Sequence, residues 1–362
     1  MQRLGIYIHW PFCKSKCPYC DFFSRVKKDI NQEELVSSYL SDLEYYRSLN
    51  DNYTVESIFF GGGTPSLIEP QYIEKLIDKI ASLWKCKDDI EISLEANPNT
   101  DDGNLFKNLR QAGINRLSLG VQALNENDLK FLGRTHTLAQ AYKSTDSVLK
   151  YFDNHSIDLI YARPNQKSQD WEKELQNACN FGLKHLSLYQ LTIEENTFFA
   201  QKGIRPAKEE IAEELYKISD NIIKSFGYNR YEVSNYAQKN FECHHNLGYW
   251  EGFDYVGIGN GGIGRIRIAD DIYNTFYPRE KEVITQTERA EELLIMGLRL
   301  TKGINKNLFM KNCGISLDKI IDNQALNVLK KDGYVSENKN NIKVTEKGNF
   351  VLNYIINKLV GL

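Results

Sequence analysis

The sequence has no run of about 18 apolar residues, which excludes a membrane-spanning helix and leaves only peripheral contact with a membrane open. It has no excess of either charge. Its 45 Lys and Arg stand against 48 Asp and Glu, a formal net charge of −3. That balance argues against nucleic-acid binding as a general role. Internal repeats and long linkers are missing too. The opening MQRLGIYIHWPFC has no small-residue cleavage site, so it reads as a first strand rather than a signal peptide. Cysteine is sparse and odd in number: Cys13, Cys17, Cys20, Cys86, Cys179, Cys243 and Cys313. With no export signal, seven thiols make a poor disulfide framework, and a reducing cytoplasm with a metal or cluster site is the better reading.

What is present is enough for a large core. Of the 362 residues, 41% are hydrophobic and 26% charged, which suits a folded chain of about two domains. Short apolar segments at 4–10, 55–60, 91–96, 116–121, 156–161 and 185–191 read as strands. They carry no polar face throughout, as expected of parallel strands covered by helices. Helical periodicity separates them at 32–49, 70–84, 101–112, 138–151, 168–181 and 208–226. Alternating strands and helices predict an α/β chain with a parallel sheet and right-handed crossovers. Six units suit a partial barrel or an open curved sheet, and a doubly wound sheet fits the periodicity equally. Residues 229–275 break the rhythm with dense Tyr, His, Asn and Gly. The pattern then turns helical, and 317–331, the DGYV turn, 341–345 and 346–359 outline a small winged-helix-like module. Its charge is too low for DNA binding to be the better reading. The expected division is therefore 1–228, 229–280 and 281–362.

The sharpest local feature is Cys13-Lys-Ser-Lys-Cys17-Pro-Tyr-Cys20. Three thiolates at these spacings can converge on one centre, and thiolates suit iron–sulfur clusters or zinc. Closed zinc sites take four protein ligands, for which only His9 and Asp21 are near in sequence. An iron–sulfur cluster on three cysteines leaves one iron open. The cysteines follow the first strand, which in a βα barrel places them at the C-terminal rim where active sites gather.

The C-x3-C-x2-C pattern, with Tyr19 before the third cysteine, resembles the radical S-adenosylmethionine (radical SAM) proteins. YIHWPFCKSKCPYCDFFS, FFGGGTPS, SLEANP, RLSLGVQAL, GRTH, DLIYARP, SLYQLTIE, YEVSNYA and HNLGYW then follow in order. Together they resemble the coproporphyrinogen-dehydrogenase-like branch, and within it the HemW-type heme chaperones, over roughly residues 4–300. The resemblance implies a partial (β/α)6 TIM-like barrel with a small C-terminal domain. It also implies a 4Fe-4S cluster on Cys13, Cys17 and Cys20, with SAM chelating the fourth iron.

For SAM it implies Gly61, Gly62, Gly63 and Thr64 at the amino group and Glu95 holding the ammonium. Gln122 and Asp158 would meet the ribose, and Arg134 the carboxylate. Tyr19 and Phe22 join this set. On position alone each of Glu95, Gln122, Arg134 and Asp158 reads better as a structural residue, and the resemblance tips the balance. His245, in the HNxxYW-like HNLGYW, is the heme candidate, with Tyr249 and Trp250 against the porphyrin. The competing reading is a structural corner in which His245 bonds the backbone and Trp250 fills the core. No catalytic residue is nominated.

Phe22 stands where the family's dehydrogenases carry a fourth cysteine, and only 12 residues precede Cys13, where they carry an extension. Both features resemble the chaperones. The resemblance thus implies heme and an apo-hemoprotein acceptor as partners. The alternative is a radical enzyme oxidising a porphyrinogen propionate, and a zinc-stabilised structural protein is a third reading. The chain departs from the family at Ala162, Arg163 and Asn165, where Gly, Leu and Gly are usual. It departs again at Asn260, Gly262 and Ile263, where Pro, Ala and His are usual, and at His244, where Arg is common. Arg163 is expected to bring a charge beside the adenosine pocket.

Overall fold

The computed structural model describes residues 2–101 and 103–360; Met1, Asp102, Gly361 and Leu362 lie outside the described residues, and with them both ends of the expected domain division. Six parallel strands follow one another across the sheet in sequence order. They are β1 (Gln2–Trp10), β2 (Tyr53–Gly62), β3 (Lys85–Ala96), β4 (Arg116–Gln122), β5 (Asn154–Tyr161) and β6 (His185–Gln190). That order has no reversal point, so the doubly wound alternative falls and the barrel-like arrangement stands. The crossovers are α1 (Gln32–Leu49), α2 (Pro70–Leu83), α3 (Leu105–Gln111), α4 (Leu138–Tyr151) and α5 (Ser168–Cys179), and α6 (Glu209–Ser225) follows β6. Local chemistry fixes their starts. Asn31 accepts from the Glu34 amide at α1, and Thr137 and Gln140 form a capping box at α4.

The outer face of the strands is apolar. Ile8, Phe60, Leu94, Leu119, Ile157 and Leu186 are buried there with helix residues such as Leu43, Leu76 and Val148 in one core. Each such side chain contributes about 1.5–3 kcal/mol by leaving water. The inner face is different, and it corrects the expectation of strands without a polar face. Strand register puts Ser57 beside Glu91, Ser93 beside Arg116 and Glu95 beside Ser118; Gly120 lies beside Asp158, and Ser156 beside His185. On β3 and β5 every second residue therefore brings a polar group to the barrel interior, a period of two hidden under the apolar composition.

Residues 229–284 extend this sheet at both edges. β7 (Asn229–Arg230) and β8 (Asn235–Ala237) continue it beyond β6. β9 (Asp254–Ile258) returns to the other edge and pairs in parallel with β1, Leu4 opposite Asp254. β10 (Ile263–Ile268), β11 (Asp271–Phe276) and β12 (Glu280–Ile284) continue outward as an antiparallel meander. Between them α7 (His244–Trp250) carries the HNLGYW segment. From α8 (Gln286–Gly297) onward, helices and a three-stranded sheet (Ile304–Asn305, Asn341–Val344, Val335–Glu337) enclose a second core around Leu294, Phe309, Ile342 and Ile355. Among the described residues no helix is long and apolar enough to cross a membrane.

Candidate functional site

A cavity of about 300 Å³ opens at the C-terminal ends of the parallel strands. Cys13, Cys17 and Cys20 all line it, on the loop that leaves β1. Two features seat this loop. The amide of Gly63 donates to Trp10 O at 2.6 Å and that of Thr64 to Phe12 O at 2.8 Å. Gly63 touches the loop so closely that an added Cβ would lie 2.5 Å from Phe12 O, and Gly62 has φ +106°. The glycine triplet therefore holds the cysteine loop against β2, beside the contact with SAM that the resemblance implies for it. Gly62, Gly63 and Thr64 line the cavity; Gly61 does not, and a Cβ there would strike the Tyr7 ring at 2.8 Å.

The second device is His9. Its Nε2 lies 2.8 Å from the carbonyl of Phe23, which can only accept, so the proton is on Nε2. Nδ1 then accepts from the Tyr7 hydroxyl at 3.1 Å. Burial lowers the pKa of His9, which keeps the ring neutral in this role. His9 is thus a neighbour that braces the loop, with both ring nitrogens engaged.

Glu95, Gln122, Arg134 and Asp158 come together in the same cavity, with Tyr19 and Phe22. Gln122 reaches it through a register shift in β4 and an unusual φ of +72°, a strained conformation of the kind kept at functional sites. Burial, reinforced by Asp158, pushes Glu95 up to about 8, while the Gly62 amide works against it. Burial also raises Asp158, although Ser187 and Ser118 oppose the rise. Two recessed carboxyls whose charge is disfavoured call for a cationic or hydroxyl-bearing ligand. Arg134 departs from expectation. Its guanidinium donates to Cys17 Sγ at 3.3 Å, to Gly120 O at 2.7 Å and to Asn97 Oδ1, leaving only Nε without a partner. It is chiefly a cation beside a cluster-loop thiol.

The residues present fit a cluster with an exposed iron and a cationic ligand beside it: three thiols and two recessed carboxyls line one cavity, with a guanidinium against one of the thiols. Among the described residues no three His, Cys, Asp or Glu side chains are gathered tightly enough to ligate a single ion. Burial raises the Cys20 thiol, so its deprotonation depends on the metal.

His245 lies elsewhere. It is buried in the lower interior of the barrel, stacked on Phe59 with ring centroids 5.0 Å apart. Its Nδ1 is hydrogen-bonded to Ser57 Oγ at 2.8 Å and its Nε2 to Tyr249 Oη at 2.9 Å. Burial lowers its pKa to about 4. A heme ligand needs a free ring nitrogen, and here neither is free. The corner reading describes this geometry better, with side-chain rather than backbone partners. Trp250 is half-buried and lines a groove of about 400 Å³ against Leu293, Leu300 and Phe309 instead of filling the core. Cys243 is buried, its thiol donating to Glu91 Oε1 at 3.3 Å. Glu91 also accepts from the amides of His244 and His245. Burial opposes its charge, but Arg116 and those amides hold its pKa below the usual range. All seven cysteines are free.

The family departures have physical readings. Arg163 does not charge the cavity: it is buried in an ion pair with Glu174, and Asp128 lies 3.0 Å away. Ala162 and Asn165 have φ of +58° and +59°, the region that the usual glycines adopt freely. Ile263 is exposed on β10.

Comparison with known proteins agrees with this architecture. Residues 7–178 match the radical SAM superfamily and residues 284–351 the HemN C-terminal domain. A heme chaperone HemW from Buchnera aphidicola (subsp. Schizaphis graminum) is 34% identical, covering 98% of each chain. HemW of Escherichia coli K12 is 32% identical over 98% of each. The structure of coproporphyrinogen III oxidase (HemN) from Escherichia coli superposes with a TM-score of 0.82 over 98% of this chain and 89% of that one, at 20% identity, a likeness of fold. Near-full-length kinship at this level, on a barrel with three cysteines at its mouth, shows that the chain belongs to the HemW family of radical SAM proteins.

Proposed function

We propose that the chain is a heme chaperone that binds heme and passes it to apo-hemoprotein acceptors in the cytoplasm. The observation that carries this reading is its 32–34% identity, over nearly the whole length, to proteins named heme chaperones. Phe22 in place of a fourth cysteine supports it. Membership of the superfamily implies a 4Fe-4S cluster and SAM. We assign the cluster to Cys13, Cys17 and Cys20, which line the cavity together. When bound, the cluster supplies an electron that SAM can accept. Glu95 accepts from the SAM amino group, Gln122 and Asp158 orient the ribose, and the Gly62–Thr64 backbone closes the wall. Arg134 screens the charge of Cys17. His245 braces the barrel floor and is given no heme contact. The proposed division keeps 1–228 as the cofactor barrel, 229–280 as its connecting region and 281–362 as the C-terminal domain.

The test is an anaerobic titration of cluster-loaded protein with hemin, followed by mixing with an apo-hemoprotein. Stoichiometric binding and transfer are expected. Absence of binding, or conversion of coproporphyrinogen III without oxygen, overturns the reading in favour of an inert relative or a dehydrogenase respectively.

A further inference from the structure

The segment that closes the cysteine loop has an unusual construction. Its backbone is tied down while its apolar side chains face water. The carbonyl of Phe22 accepts from Lys16 Nζ at 3.1 Å, that of Ser24 from the same ammonium at 3.1 Å, and that of Phe23 is held by His9. The Arg25 amide donates to Pro11 O at 2.8 Å, and Arg25–Val26 pairs in parallel with Phe12–Cys13. On this anchored frame Phe22, Phe23 and Val26 are 57%, 56% and 53% exposed. The patch runs on toward β10: Gly261 abuts the Phe23 ring, and Ile263, two residues further, is 51% exposed. Burying this surface gains free energy, so a packed loop that displays it awaits a ligand.

The same segment concentrates positive charge in a chain that is net negative. Arg25, Lys27 and Lys28 are exposed beside the apolar side chains, with Lys14 and Lys16 behind them. The Arg25 guanidinium and the Lys27 ammonium both lie over the Phe12 ring, 5.1 and 5.9 Å from its centroid, so the cations gather on one side. A flat apolar ligand with an anionic edge matches this pairing of features.

We infer that residues 22–28 form the surface on which heme is received, an inference that rests on the heme-chaperone reading. The porphyrin lies on Phe22, Phe23 and Val26, and its two propionates face Arg25, Lys27 and Lys28. No His, Cys or Met occurs between 21 and 28, so the surface grips one face of the macrocycle without ligating the iron and leaves the axial position on the open face to an acceptor. The scale favours a small molecule. Stable protein interfaces need about 20–30 residues a side. Here a handful of side chains is displayed. Phe22 also lines the cofactor cavity, which puts the porphyrin beside the cluster face.

The experiment uses full-length, cluster-loaded protein and two double variants outside the cavity lining, Phe23→Ser/Val26→Ser and Lys27→Glu/Lys28→Glu. Each is titrated with hemin and with iron-free protoporphyrin IX, and its iron content and urea midpoint are compared with the parent. The parent should bind one molecule of either porphyrin. Both variants should bind both porphyrins at least tenfold more weakly, with iron content and midpoint unchanged. Parent-like porphyrin binding by both variants overturns the inference while leaving the chaperone reading intact. So does failure of the iron-free porphyrin to bind, which would assign recognition to an iron ligand. If the variants lose only binding to phosphatidylserine vesicles, the surface belongs to a bilayer and the inference falls. A parent that binds no hemin overturns this inference and the chaperone reading together.

Discussion

The guanidinium of Arg134 donates to the sulfur of Cys17 at 3.3 Å, joining the loop after β4 to the loop after β1. A cation there lies against a sulfur that a bound cluster would hold as thiolate. Hydrogen bonds to charged groups contribute about 1.5–3 kcal/mol, so Arg134→Gln should weaken cluster retention roughly tenfold or more. Iron and sulfide per chain after dilution into chelator would measure it. Retention equal to the parent would show that the contact is only structural. Cys13→Ala, Cys17→Ala or Cys20→Ala should abolish the cluster outright.

Glu95 gives SAM binding a pH dependence. Its carboxyl, raised to about 8 by burial and Asp158, is mostly neutral at pH 7 without ligand. A carboxylate that accepts from the SAM amino group is favoured in its ionised form, so binding expels a proton. Affinity should therefore climb as pH rises from 6 to 8, by up to about tenfold per unit, and level off above. Calorimetry in buffers of different ionisation enthalpy reads the proton directly, and Glu95→Gln should remove the slope.

Arg163 and Glu174 form a buried ion pair whose partners cannot be separated cheaply. Glu174→Ala leaves the buried guanidinium only the more exposed Asp128 as a partner and also removes the acceptor for the Leu124 amide, so a loss of about 3 kcal/mol is expected. Arg163→Leu, which restores the usual family residue, leaves Glu174 unpaired and should also destabilise. The double change Arg163→Leu/Glu174→Gln should recover much of the loss. Urea unfolding of all three variants checks this, and additive losses would refute coupling.

Five imidazoles, those of His9, His136, His155, His185 and His245, are held below their ordinary pKa, burial being the first cause in each. The unfolded chain would bind protons there near pH 6.5, before the folded chain does. The stability they lend is thus complete above about 6.5 and is lost as pH falls toward about 4, the folded value of His136 and His245. The urea midpoint should drop between pH 7 and 5, and His245→Gln should make the drop shallower. A flat midpoint across that range would contradict the burial of these rings.

Much of the barrel was legible because helix periodicity survives burial on one side. α1 and α4 occupy the residues their apolar spacing indicates, 32–49 and 138–151. The six strands were found too, but not their two faces. Glu91, Ser93 and Glu95 alternate with Ile92 and Leu94, yet the apolar members dominate any average over so short a segment. The cavity residues were legible through the family likeness, since a lone Glu or Gln at a strand end carries little signal. The true partners of Arg134 and His245 were not. They are set by side chains brought from far along the chain, and no local pattern records them. β9 escaped notice for the same reason: a five-residue strand amid glycines shows little periodicity, and its pairing with β1 is purely tertiary.

That pairing matters during synthesis. Leu4 meets Asp254 only after about 250 further residues have been made. At about 5–20 residues per second, the outer edge of β1 stays without its neighbour for roughly 12–50 s, hydrogen-bonding groups and apolar side chains open to other nascent chains. The strand that carries the cysteine loop is therefore the last of the six barrel strands to be enclosed on both sides. Early termination before residue 258 should yield an aggregating fragment rather than a smaller working barrel.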